Sequence, residues 1–234
     1  MNFEDLNVVV MAYARPEHFK KVLDACARSL EKVKVYVDFP ADEGVQRQQQ
    51  EIDKIIDQSP LECEVYRRPE RFGLVKSILT AVEEQLRESD HIILLEDDCV
   101  PREGFFTFMK ESLEKYKDNP DITTICGTRT KCRFNPWGWA TWRHKWNYGE
   151  LSVDEMLKIQ NLDEELYEFL SHNSVDKMIW SLSWIALQHK NDCYSHYPRA
   201  NLIKNIGLDH SGVHSHEEGF TQWLYSQIME NLKE

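Results

Sequence analysis

Between residues 7 and 126, short aliphatic runs alternate with longer segments whose apolar positions recur at helical spacing. Asn7 to Ala12, Lys34 to Asp38, Leu61 to Tyr66, His91 to Leu95 and Ile122 to Cys126 have the length and the β-branched or aliphatic content of strands. Residues 16–31 put Phe19, Val22, Leu23, Cys26, Ala27 and Leu30 on one helical face, and Pro16 suits a first turn. Residues 41–58 are polar and Gln-rich with Ile52, Ile55 and Ile56 on one side, which predicts a surface helix. A helix from Leu74 carries Val75, Ile78, Leu79, Val82 and Leu86, and another over 103–117 carries Phe105, Phe106, Met109, Leu113 and Tyr116. Strand, helix and strand within about 40 residues make a βαβ unit. Its repetition predicts an α/β fold of Rossmann-like kind, with a mostly parallel central sheet flanked by helices.

Beyond residue 127 the pattern changes. Phe134 to Trp146 packs four of the seven tryptophans into ten positions around Gly138. Such a segment packs under a loop or walls a ligand site, because indole faces stack on sugars and glycine lets the backbone approach closely. Residues 153–171 read as an acidic surface helix. Val175 to Lys190 is apolar nearly all round and predicts a buried helix. Tyr194 to Pro198 reads as a short strand, Asn205 to His216 as a loop of glycines and potential ligands, and 217–232 as a closing helix.

Composition narrows the function classes. With Lys+Arg 28 against Asp+Glu 40, the net charge of -12 argues against a general nucleic-acid surface. The amino terminus has no basic, apolar leader, and no run reaches the roughly 18 apolar residues of a membrane span; a cytoplasmic protein is expected. Six scattered cysteines without a Cys-x-x-Cys pair suggest reduced, mostly buried thiols rather than zinc or redox chemistry.

Two segments carry chemistry. The strand from His91 runs into Glu96-Asp97-Asp98, then Cys99-Val100-Pro101. In an open α/β sheet ligands bind at the carboxyl ends of strands, and three adjacent carboxylates repel one another unless a cation is shared. A divalent ion bridging to a phosphate is the common solution. Ahead of them, Arg67-Arg68-Pro69-Glu70-Arg71 sets three arginines within five positions of an otherwise acidic chain, the local basic patch that a diphosphate requires.

Arg68 with Phe72-Gly73-Leu74 to Ile78, Leu95-Glu96-Asp97-Asp98, Pro136-Trp137-Gly138-Trp139-Ala140-Thr141-Trp142, and Tyr197-Pro198 followed by Asn205-Ile206-Gly207 together carry a resemblance. In order and approximate spacing the chain resembles the GT-A glycosyltransferases, the nucleotide-diphosphosugar transferases, and more narrowly the bacterial sugar transferases related to N-acetylglucosaminyltransferase I. The resemblance implies one GT-A domain over 1–234, with a nucleotide-binding part over about 1–127 and an acceptor and lid part over about 128–234. It also implies Mn²⁺ or Mg²⁺ held by Asp98, with His214 completing the shell and His210 and His216 as competitors. Glu96 or Asp97 then meets ribose or sugar hydroxyls, and Asp38 contacts the base. Arg68 and Arg71, with Lys76 a further candidate, approach base or phosphates, and Trp137, Gly138 and Trp139 wall the donor. The implied partners are a UDP-linked sugar donor and a glycan or lipid-linked saccharide acceptor, any membrane association being peripheral and through the acceptor alone.

An inverting transferase needs a carboxylate to deprotonate the acceptor hydroxyl. In the relatives an aspartate follows a tryptophan at a late helix start, but here Ser181 follows Trp180. Asp176, one turn earlier, is the candidate base, with Asp209 and Asp192 as further options. A retaining mechanism needs no such base. Two rivals follow: a catalytically impaired nucleotide-sugar binder, motivated by Ser181, and a sugar-1-phosphate nucleotidyltransferase. The second requires a Gly-rich loop after the first strand, and Met11 to Pro16 contains no glycine. A phosphohydrolase with a nucleophilic aspartate there is excluded on the same segment.

Overall fold

The computed structural model describes residues 2–130, 133–172 and 180–207. The expected strands form as β1 (Val8–Ala12), β2 (Lys32–Val37), β3 (Glu62–Arg67), β4 (His91–Glu96) and, after a three-residue β5 (Cys99–Pro101), β6 (Ile122–Cys126). Helices α1 (Pro16–Cys26), α2 (Glu43–Gln58), α3 (Leu74–Glu88) and α4 (Phe105–Lys115) intervene. The second half adds β7 (Trp139–Trp142), α5 (Val153–Met156), α6 (Glu164–His172), α7 (Trp180–Lys190), β8 (Tyr194–His196) and β9 (Ile203–Asn205).

Seven strands make one sheet in the order β3-β2-β1-β4-β7-β6-β8, and β5 pairs with β9 in a separate ribbon. Within the seven-stranded sheet pairing is parallel except where β7 runs antiparallel between β4 and β6. Strands buried on both faces explain the unbroken aliphatic runs. In β1, Val8, Val10 and Ala12 face one core with Phe19 and Val22 of α1 and Phe105 and Met109 of α4. Val9 and Met11 face the other, with Ile78 and Val82 of α3 and Trp180 and Trp184 of α7. Ile93 and Leu95 of β4 divide from Ile92 and Leu94 in the same way. The result is a Rossmann-like α/β fold, a mostly parallel sheet between two helical layers.

Three expectations change. The first helix stops at Cys26 rather than 31, because the N–H groups of Ser29 and Leu30 both turn back to the Cys26 carbonyl at 3.0 Å. The acidic helix over 153–171 is two helices, α5 and α6. Asn161 in the gap accepts a hydrogen bond from His189 Nδ1 of α7 at 2.8 Å, so that nitrogen carries the proton. Neither piece is a mere surface helix, since Met156, Leu166, Phe169 and Leu170 enter the second core. The Trp-rich segment contributes β7, an inner strand. The closing helix over 217–232 lies outside the described residues. Among the described residues, five cysteines are free and no helix is long and apolar enough to cross a membrane.

Candidate functional site

Strand order reverses at β1: the chain passes from β1 outward to β2 and β3, then returns to β4 on the other flank. In such sheets the crevice outside the carboxyl ends of the two diverging strands receives ligands. The parallel register sets Met11 beside Glu96, so β1 and β4 end at the same level. From β1 the chain continues through Tyr13 and Arg15 into α1; from β4 it turns through Asp97 and Asp98 into β5.

β9 closes this turn from the far end of the sequence. Cys99 pairs with Asn205 and Pro101 with Ile203. The Ile206 N–H donates to the Asp98 carbonyl at 2.9 Å, and the Gly207 N–H to Asn205 Oδ1 at 2.8 Å. A Cβ at Gly207 would lie 2.2 Å from Asp98 Oδ2, so only glycine lets this backbone approach the carboxylate. Asn205-Ile206-Gly207 and the acidic turn, more than 100 residues apart, therefore form one structure.

Arg15, at the N-terminal boundary of α1, faces the acids. Its Nη2 contacts Asp97 Oδ1 and lies 2.9 Å from Asp98 Oδ2, while Cys99 Sγ donates to Asp98 Oδ1 at 3.3 Å. Nη1 of the same guanidinium is buried without a hydrogen-bond partner among the described residues. Burial and the neighbouring Asp98 and Asp97 raise the Glu96 carboxyl above its ordinary range, against the pull of Arg15. Burial likewise pushes Asp97 up to about 6, the contact with Arg15 opposing it. One guanidinium thus lies against Asp97 and Asp98 of three adjacent acids, two of which burial holds above their ordinary range. Sequence reasoning passed over Arg15. The signal available was its place directly after the first strand, which a parallel sheet brings level with the acids.

The other expected residues divide. Asp38, 8% exposed, accepts backbone N–H groups from Phe39 and Phe72 at 2.9 Å and from Gly73 at 2.8 Å, and so holds the loop that enters α3. Arg68 is no open phosphate contact. It is 8% exposed and grips Glu84 with two bonds of 2.8 and 2.9 Å plus Thr80 Oγ1 at 2.8 Å, tying β3 to α3. Arg71 is exposed, and exposed Lys76 lies over the Phe72 ring at 3.9 Å. Trp139 is a correction. It is 0% exposed, edge-on to Phe134 and packed against Trp180 with ring centres 5.3 Å apart, so it builds core and offers no face to a donor. Trp137, just before β7, is half-buried and packs against the first core. Gly138 has φ +62, and a Cβ there would meet Ile203 at 2.6 Å. Ser181 is buried in the first turn of α7. Asp176, His214, His210, His216 and Asp209 lie outside the described residues, and exposed Asp192 pairs with Arg133.

Among the described residues no group of three or more metal-ligating side chains converges as a ready-made cage. The donors that do meet are all carboxylate oxygens, which suit hard Mg²⁺ or Mn²⁺. Asp98 fits as a protein anchor in the usual arrangement of one or two carboxylates, with phosphate and water completing the shell.

No family model matches the chain, and no curated protein matches it. Solved structures do. A cytidylyltransferase from Leptospira borgpetersenii is 11% identical with a TM-score of 0.47, over 88% of this chain and 84% of that one. The 4-diphosphocytidyl-2C-methyl-D-erythritol synthase of Anaerococcus prevotii is 8% identical with a TM-score of 0.45, over 96% of each chain. The glucosyl-3-phosphoglycerate synthase of M. tuberculosis is 10% identical with a TM-score of 0.42, over 94% of this chain and 81% of that one. At these scores none assigns an activity or a residue to this chain.

Proposed function

We propose that this protein is a metal-dependent glycosyltransferase of GT-A type that moves a sugar from a nucleoside-diphosphate donor, UDP-linked, to a hydroxyl of a glycan or lipid-linked saccharide. The observation that carries the reading is the juxtaposition at the switch point: Glu96-Asp97-Asp98 from β4, Arg15 from β1 and Asn205-Gly207 from the late ribbon. The roles expected of Glu96, Asp97 and Asp98 need such groups to meet at the carboxyl end of the sheet. Asp98 with His214 would hold Mn²⁺ or Mg²⁺, which would supply positive charge to the departing diphosphate. Asp97, buried and oriented by Arg15, and Glu96 beside it offer oxygens to ribose or sugar hydroxyls. Asp38 fixes the loop at Phe72-Gly73 that borders the base. Trp137 lines the sugar side. Asp176 takes the acceptor proton as the hydroxyl attacks, with inversion.

The test is to incubate the protein with Mn²⁺ and a panel of nucleotide sugars and to measure free nucleoside diphosphate. Release from a UDP-sugar is expected, lost in Asp98→Ala. Asp176→Ala is expected to keep donor binding and lose transfer; unchanged turnover removes Asp176 from the mechanism and leaves the enzyme. Donor binding without turnover in the native protein selects the impaired binder. Pyrophosphate released from a nucleoside triphosphate and a sugar-1-phosphate selects the nucleotidyltransferase. If no donor binds, the reading fails.

A further inference from the structure

We propose that Arg15 is a built-in counter-cation of the acidic turn, which keeps a divalent ion off Asp98 until a diphosphate arrives and then exchanges partners with it. The inference rests on the donor site proposed above and adds an order of events. The guanidinium occupies the place a cation would take between Asp97 and Asp98, touching the first and lying 2.9 Å from the second. A divalent cation placed against Asp98 would stand beside the guanidinium, and the repulsion between a double and a single positive charge in a partly buried site disfavours their sharing Asp98. A metal ion alone brings no group to receive the displaced guanidinium. A diphosphate does, because its oxygens match the planar fork of arginine.

Two observations give the exchange a direction. Arg15 Nη1 is buried and unpartnered among the described residues, a donor held ready on the side that faces Gly207, where a Cβ would come within 3.0 Å of it. Arg15 also stands directly before α1, and the positive end of that helix favours an incoming anion next to the guanidinium. The contact with Asp97 can persist while Asp98 is given up, so the arginine pivots rather than leaves. Arg15 would then contribute to affinity for the diphosphate and make uptake of the ion conditional on it.

The test measures Mn²⁺ uptake by electron paramagnetic resonance, with no donor sugar and no turnover. Native protein is expected to bind Mn²⁺ alone weakly, and Arg15→Gln to bind it at least about tenfold more tightly. Asp98→Asn added to Arg15→Gln should abolish the gain. Arg15→Lys, which keeps one charge and guards against loss of the fold, should fall between. UDP, GDP or CDP should promote Mn²⁺ uptake by native protein and do so less in Arg15→Gln. Native protein that takes up Mn²⁺ alone as tightly as Arg15→Gln overturns the proposal. So does nucleotide binding that is equally tight with and without Mn²⁺, which would make Arg15 the permanent cation. If nucleotides promote uptake normally in every Arg15 variant, the exchange is wrong and the transferase site stands. If no nucleotide binds native protein, the transferase reading fails, while the Mn²⁺-only comparison still decides whether Arg15 excludes the ion.

Discussion

At the scale of single residues, the site depends on close approach more than on the number of ligands. Gly207 is the clearest case, since any side chain there collides with Asp98. Gly207→Ala is expected to shift the melting temperature little, because the residue ends a short ribbon. It should lower donor-dependent release about 10-fold to 100-fold by displacing the carboxylate, and melting curves beside the release assay check both. His91 illustrates the opposite case, a titratable group with a structural task. It is 7% exposed, Asn7 Nδ2 donates to its carbonyl at 3.2 Å, and burial lowers its imidazole below the ordinary value. Below a pH of about 6.5 the unfolded chain therefore binds a proton that the folded chain resists. The contribution is complete above that pH and is lost as pH falls through the folded value. Urea midpoints at about pH 7 and about pH 5.5 should differ less in His91→Gln than in the native protein; an equal difference would remove His91 as a cause.

At the scale of elements, the basic loop before α3 shows how one residue type serves two ends. Arg68 stacks beside Tyr36 and Phe72, at 4.8 and 5.0 Å from their ring centres, and holds Glu84. It fastens an edge strand to the helix that backs the site. Arg68→Met should cost roughly 2 kcal/mol in urea denaturation by leaving Glu84 unpaired, with nucleotide affinity little changed. A large loss of affinity at unchanged stability would return Arg68 to the binding role. In the chain, an arginine that meets phosphate and one that meets glutamate look alike. The choice was made by the return of α3, which brings Glu84 across from β3. The tryptophans behave similarly. Their density was visible, but Trp139 and Trp142 became core because β7 inserts between β4 and β6, a non-local pairing that no local pattern announces.

At the scale of the whole molecule, both cores share one sheet, with alternate residues of β1 and β4 contributing to each. Losing either helical layer exposes the same strands, so the chain should unfold as one unit. Tryptophan fluorescence, which reports mainly the second core, and far-ultraviolet circular dichroism are expected to give coincident transitions; separate midpoints would divide the chain. The periodicity by itself determined the βαβ repeat, the strands from β1 to β6 other than β5, and the exit of three acids at the end of a buried strand. Those are local consequences of which residues avoid water and at what spacing. Only the tertiary structure decided what surrounds the acids. Arg15 reaches them through the parallel register of β1 with β4, and Gly207 through the pairing of β5 with β9. Both are contacts between distant segments whose partners are chosen by sheet order, and sheet order is set by the packing of the whole chain rather than by any stretch of it.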